Sequence, residues 1–137
     1  MRIGNWVFKR VRRVRRRRNT GQAFFVRRSK AEYIQHKERA RALVTQKLLD
    51  FNTFYNFNVG KIAIRNQKSR WGSCSKKGNL NFNYRLTLIP ENLVDYVVVH
   101  ELCHIGEFNH SKDFWGLVSK NIPYYTNART HLKKFAP

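Results

Sequence analysis

His100-Glu101-Leu102-Cys103-His104 places two imidazoles and a carboxylate within five positions, and the spacing has a geometric meaning. On an α-helix, residues four apart share a face and lie about 6 Å apart along the axis, so both rings can converge on one divalent metal ion. Glu101 is rotated by about 100° from His100, which lets it flank an attacking water and take its proton without becoming a ligand. A catalytic zinc takes three protein ligands. After His104 the only acids are Glu107 and Asp113, which excludes a glutamate ligand on a helix well downstream. His110, six residues beyond His104 and past a turn at Gly106, is the better third ligand. With one Zn2+ per chain, such a set is suited to hydrolysis. The metal polarises a carbonyl and draws the pKa of its water toward about 7, and Glu101 hands a proton to the departing amine.

The resulting HExxHxxxxxH spacing is that of the metzincins, but Glu107 stands where they have glycine. Their later methionine turn cannot form either, because Met1 is the only methionine. A lone histidine on an apolar helix is usually a satisfied core residue, whereas three histidines with a glutamate at this spacing point to a metal site. Cys103 is assigned to the core, as are Trp71 and Trp115, hydrophobic anchors near the site. An oxyanion donor is expected, and Arg70, Tyr84, Tyr124, Tyr125 and His131 are unranked candidates for it.

These residues need elements to position them. Ser29 and Glu32 fit a capping box, so a helix should begin near Lys30. Its apolar stripe is Tyr33, Ala40, Val44, Leu48, Phe51 and Tyr55, and it should fray over residues 56–60. Ile62 and Ile64 alternate with polar neighbours, as do Leu80, Phe82, Tyr84 and Leu86, which predicts two half-buried strands joined as a long-looped hairpin. Pro90 and Glu91 suit the first turn of the metal-binding helix, although Val97-Val98-Val99 is also a strand signal. Ser111 can cap a further helix with Phe114, Trp115, Leu117 and Val118 facing inward, and Pro123 should start a last, basic one.

The 137 residues fit one domain with an ordinary core, and the formal charge is +20. Residues 1–30 hold twelve Lys or Arg and no acid, so residues 1–29 are read as a basic arm or short β segment before a domain spanning 30–137. The arm's field would attract polyanions, which makes nucleic acid a possible partner beside a peptide or protein substrate. It also resembles an organelle transit peptide in composition. Two cysteines, Cys74 and Cys103, suit a reducing cytosol, and no segment has membrane-spanning length. No membrane partner is therefore expected, and the cytoplasm is the expected location. Nothing in the sequence constrains the oligomeric state. The rival to a hydrolase is a non-catalytic, basic nucleic-acid-binding module with a structural zinc site, a reading that Cys103 as a fourth ligand would strengthen.

The chain resembles the YgjP-like metallopeptidases, zincin-type proteins similar in style to SprT-like proteases. The likeness is carried by Ile64-Arg65-Asn66-Gln67, Arg70-Trp71-Gly72-Ser73-Cys74, Gly78-Asn79-Leu80-Asn81-Phe82-Asn83, Val99-His100-Glu101-Leu102-Cys103-His104, Asn109-His110-Ser111 and Phe114-Trp115. It implies an α+β, zincin-like fold in which a small antiparallel sheet packs with a long N-terminal helix, the HExxH helix and C-terminal helices. It further implies His100, His104 and His110 as ligands and Glu101 as the catalytic acid/base. Residues 79–86 would be a sheet edge above the metal to which a peptide adds as a strand, with Asn81, Asn83 and Trp71 at the substrate.

Overall fold

In the computed structural model, which describes residues 30–137, a 26-residue helix α1 (Lys30–Tyr55) leads into a small sheet. The sheet comprises β1 (Ile62–Arg65), β2 (Gly72–Cys74) and β3 (Leu80–Asn83). A 3-10 turn (Tyr84–Leu88), then α2 (Glu91–Gly106), α3 (Lys112–Asn121) and α4 (Tyr125–Leu132) complete the α+β chain. The expected basic arm, residues 1–29, and the Ser29 half of the capping box lie outside the described residues.

α1 buries Ala40, Val44 and Leu48, three positions spaced by four, and Tyr33, Phe51 and Tyr55 pack partly against the same core. It ends where Asn56 takes φ 54°, a left-handed conformation that asparagine tolerates better than most residues. Asn52 then clasps the emerging chain, its amide donating to the Phe57 carbonyl at 2.9 Å while its oxygen accepts from the Phe57 N–H at 2.8 Å. Phe57 is thereby seated on Gly106, where an added Cβ would come within 2.7 Å of the ring. The end of α1 and the end of α2 are fixed against each other.

The sheet differs from the expected antiparallel hairpin. Its order is β1-β3-β2, with β1 parallel to β3 and β2 antiparallel to it. The segment between the two anticipated strands, expected as loop, contains β2, and this third strand makes the hairpin with β3. Gly78, at φ +79°, turns the chain between them. Alternating polarity can find strands but carries no information on which strand pairs with which, and a three-residue strand containing glycine leaves little pattern to read. β3 is also shorter than its alternation suggested: it stops at Asn83, and Tyr84 and Leu86 are buried from the 3-10 turn instead.

As the central strand, β3 is paired on both sides and is not the edge assigned to residues 79–86. Of the two edges, β1's is covered by α1: Tyr33 Oη donates to the Ile64 carbonyl at 3.0 Å and Arg41 Nη1 to the Ile62 carbonyl at 3.3 Å. Among the described residues, that leaves β2 as the uncovered edge.

α2 runs through the middle of the molecule, with every residue from Tyr96 to His104 buried. The Val97-Val98-Val99 triplet is helical because it is enclosed, and packing on all sides outweighs the modest helix penalty of β-branched residues.

Asn83, expected at the substrate, belongs to the scaffold. It is fully buried, donates to the carbonyls of Gln67 at 2.7 Å and Arg70 at 3.0 Å, and accepts from the Arg85 N–H at 3.0 Å. It thus pins the loop that enters β2 and caps the 3-10 turn. Asn83→Ala would orphan buried polar groups and is expected to cost about 2 to 4 kcal/mol, read as a lower urea midpoint with unchanged slope.

Candidate active site

Three histidine Nε2 atoms meet on the α3 side of α2. His100 Nε2 lies 3.1 Å from that of His104 and 3.2 Å from that of His110. His100 and His104 are one turn apart on α2. His110 is returned by a short loop that leaves α2 at Gly106 and ends at Ser111, whose hydroxyl accepts from the Phe114 N–H at 3.3 Å and caps α3. The cap places Phe114 and Trp115 as walls of the cage. The Phe114 ring stacks on His104 at 4.4 Å and meets His100 edge-on at 4.9 Å, and Trp115 stacks on His110 at 5.8 Å.

The tautomers suit metal binding. His104 Nδ1 lies 3.0 Å from the Glu107 carbonyl, which can only accept, so Nδ1 carries the proton and Nε2 presents a lone pair. His100 Nε2 cannot serve both neighbours by hydrogen bonding, since a ring nitrogen has one proton or one lone pair. Two bonds of about 2.0–2.1 Å at a tetrahedral ion put their nitrogens about 3.3–3.4 Å apart, close to the observed separations. Burial lowers the pKa of all three rings, with the neighbouring histidines adding to the effect on His100 and His110, and His110 falls to about 4. The rings are therefore neutral at pH 7, as ligands must be. His100, His104 and His110 fit a zinc ion.

Glu101 faces a different element. It is 2% exposed and lies against β2, where a Cβ on Gly72 would come within 2.8 Å of its Cγ. Only glycine allows the strand and the carboxylate this approach. Burial raises the Glu101 pKa to about 8, opposed by the charge of Arg70. Cys103 lies apart from the cage and interacts with Tyr55. It is not among the three residues grouped around the potential ion, and a fourth ligand from Cys103 is not observed.

The remaining expected site residues are dispersed. Trp71 is 4% exposed and part of the core, whereas Asn81 lies on the outer sheet face, bonded to Ser73 Oγ at 3.2 Å and Arg65 Nε at 3.4 Å. Tyr84 is buried beneath α1 against Tyr33, Tyr124 is partly exposed beside Asp95 and Lys47, and His131 packs on Phe135. Of the oxyanion candidates, Arg70 remains near Glu101, and Tyr125 stacks on Trp115 at 5.0 Å. Two residues of this region escaped sequence reasoning. Tyr96, 5.7 Å from His100, is one turn before it on the same helix face, a spacing that could have flagged it. Arg129, over Trp115, comes from α4 with no local signal.

A family model described as YgjP-like, metallopeptidase domain, matches residues 13–135. Among solved structures, the crystal structure of the metallopeptidase zymogen of Pyrococcus abyssi abylysin shares the fold, with a TM-score of 0.60 and 23% identity. That match covers 67% of this chain and 94% of that one. No curated protein matches the sequence.

In the metal-free protein, the raised Glu101 pKa means that folding costs more as pH climbs from about 4.5, where the unfolded carboxyl ionises, to about 8. Glu101→Gln removes this cost. Its stability advantage over the parent chain should be absent near pH 4 and reach on the order of 3 to 5 kcal/mol at pH 8.5, measured by urea unfolding in chelator. The three histidines, with depressed pKa values, contribute in the opposite sense: in both chains stability is lost as pH falls below 6.5.

Proposed function

Since the chain belongs to the YgjP-like metallopeptidase family, we propose that it hydrolyses peptide bonds in polypeptide substrates, with one zinc ion at His100, His104 and His110 and Glu101 as general base. The observation that carries this reading is the convergence of three Nε2 atoms to 3.1 and 3.2 Å, with a buried carboxylate one residue along the same helix. A bound zinc ion supplies Lewis acidity toward a carbonyl and acidifies water. The protein does the rest. The Glu107 carbonyl fixes the His104 tautomer, and Phe114 and Trp115 exclude water from the ligand rings. Glu101 takes a proton from the attacking water and delivers it to the amide nitrogen as that group leaves. Burial raises the pKa of this carboxyl, which strengthens its carboxylate as a base toward that water.

The sheet supports one path for the substrate. Trp71 and Ser75 hydrogen-bond to β3, the Trp71 carbonyl accepting from Asn83 N–H at 2.8 Å and the Ser75 N–H donating to Asn79 at 2.9 Å. In an antiparallel pair the intervening residues alternate, so the main-chain groups of Gly72 and Cys74 point outward along the open edge. An extended peptide adding there would run beside Glu101. This replaces residues 79–86 as the docking strand.

The structural-zinc reading calls for four protein ligands, and the group around the potential ion among the described residues has three. Glu101→Gln separates the readings. It should retain about one zinc per chain while casein cleavage falls by roughly 100-fold or more. Retained cleavage would sink the general-base assignment, and zinc binding without cleavage by the native chain would favour the structural site. Gly72→Ala should also impair cleavage, by roughly tenfold or more, because the added methyl must push β2 from Glu101. It should leave zinc content unchanged.

A further inference from the structure

Arg129 brings a guanidinium to the wall of the histidine cage, and among the described residues no acid pairs with it. Its Cζ lies 5.3 Å from the centroid of the Trp115 ring, and that ring is 5.8 Å from both His100 and His110. Arg41 and Lys47 form ion pairs with Glu38, Glu91 and Asp95. Arg129 makes none, and its Nε is buried without a hydrogen-bond partner. Tyr96, fully buried with its ring 5.7 Å from His100, also has a buried hydroxyl without a partner. The charge of Arg129 reaches Tyr96, His100 and His110 alike, which places all of them in one electrostatic neighbourhood.

A guanidinium held over an aromatic ring gains a cation–π contact, but that contact uses none of its in-plane N–H groups, and the buried Nε–H of Arg129 has no other partner. Unsatisfied buried donors are rare, and several at one site call for an explanation. Here the guanidinium lies over Trp115, the ring that stacks on His110 and meets His100 edge-on, and arginine's planar fork matches the two oxygens of a carboxylate or a tetrahedral oxyanion. The other arginine of the region, Arg70, faces Glu101 and is engaged there electrostatically.

We propose that Arg129 is a catalytic or specificity residue that binds an anionic oxygen of the bound peptide, either the oxyanion developing at the scissile carbon or the carboxylate ending a chain. The assignment rests on the peptidase reading above. Trp115 acts as a positioning residue, holding the guanidinium over the ring that stacks on His110.

The test compares the zinc-loaded native chain with Arg129→Met and Arg129→Lys. The substrates are one peptide sequence with a free carboxyl end and the same sequence amidated. Zinc content and thermal unfolding are measured in parallel, with calorimetric affinity for a phosphonamidate dipeptide as a tetrahedral anion probe. If the oxygen is the oxyanion, Arg129→Met lowers kcat by about 100- to 1,000-fold on both peptides at similar KM and weakens the phosphonamidate by a comparable factor. If it is the terminal carboxylate, the variant raises KM by about tenfold or more on the free-acid peptide alone.

Arg129→Lys keeps the charge but loses the fork, so an intermediate loss is expected. Should Arg129→Met fail to fold or lose zinc, the lysine variant decides: a loss of about tenfold per bound zinc supports the assignment, and native kinetics overturn it. Native kinetics on both peptides in a folded, zinc-replete Arg129→Met variant overturn it too, leaving the peptidase reading intact. A zinc-loaded native chain that cleaves no peptide ends that reading and the inference with it.

Discussion

The burial of α2 is the constraint on which the rest of the structure depends. A helix enclosed from Tyr96 to His104 would be an ordinary core element if all its residues were apolar, but it carries two imidazoles and a carboxylate into that interior. Taking such groups out of water is costly unless they are partnered or neutral. Two responses are visible: the rings are held neutral and Glu101 is driven toward its protonated form. Both states cluster the groups without the self-repulsion of like charges. They also make the metal-free site a burden on the fold that a bound cation would relieve, so metal binding and stability are coupled through the same side chains.

The neighbouring elements divide their work between the two faces of this helix. On the histidine face, the Gly106 turn and the Ser111 cap return His110 to the cage and bring Phe114 and Trp115 in as walls. On the Glu101 face, the sheet presents a glycine, and the absence of a side chain at Gly72 sets how close strand and carboxylate lie. The long helix α1 touches neither face of the chemistry. It fixes the sheet through Tyr33 and Arg41 and the end of α2 through Phe57, and so holds the two halves of the site in register.

Local chemistry was legible in the sequence and pairing was not. The helix of residues 30–55, the Ser111 cap and the histidine spacing were all readable because each depends on residues within a few turns of one another. The strand order was hidden because β1 and β3 pair in parallel at a sequence offset of 18 residues, as in Ile62 with Leu80, and alternation cannot reveal a partner. Asn83 misled for a related reason. Its polarity on a strand suggested exposure toward a ligand, whereas its amide donates twice to the loop folded over it and its oxygen accepts from the 3-10 turn. Arg129 could not be found from sequence at all, since its nearness to the cage depends on how α4 docks against α2.

The covering of β1 by α1 has a consequence for assembly. A sheet with two free edges can grow in either direction, and a second copy of the chain could then pair on one side while a peptide occupied the other. Here Tyr33 and Arg41 spend the outward carbonyls of β1 on side-chain bonds, which leaves growth one-sided. Within the described residues, a chain that extends this sheet would do so along β2 beside Glu101, so strand-mediated self-association and the proposed docking of a peptide would compete for a single edge.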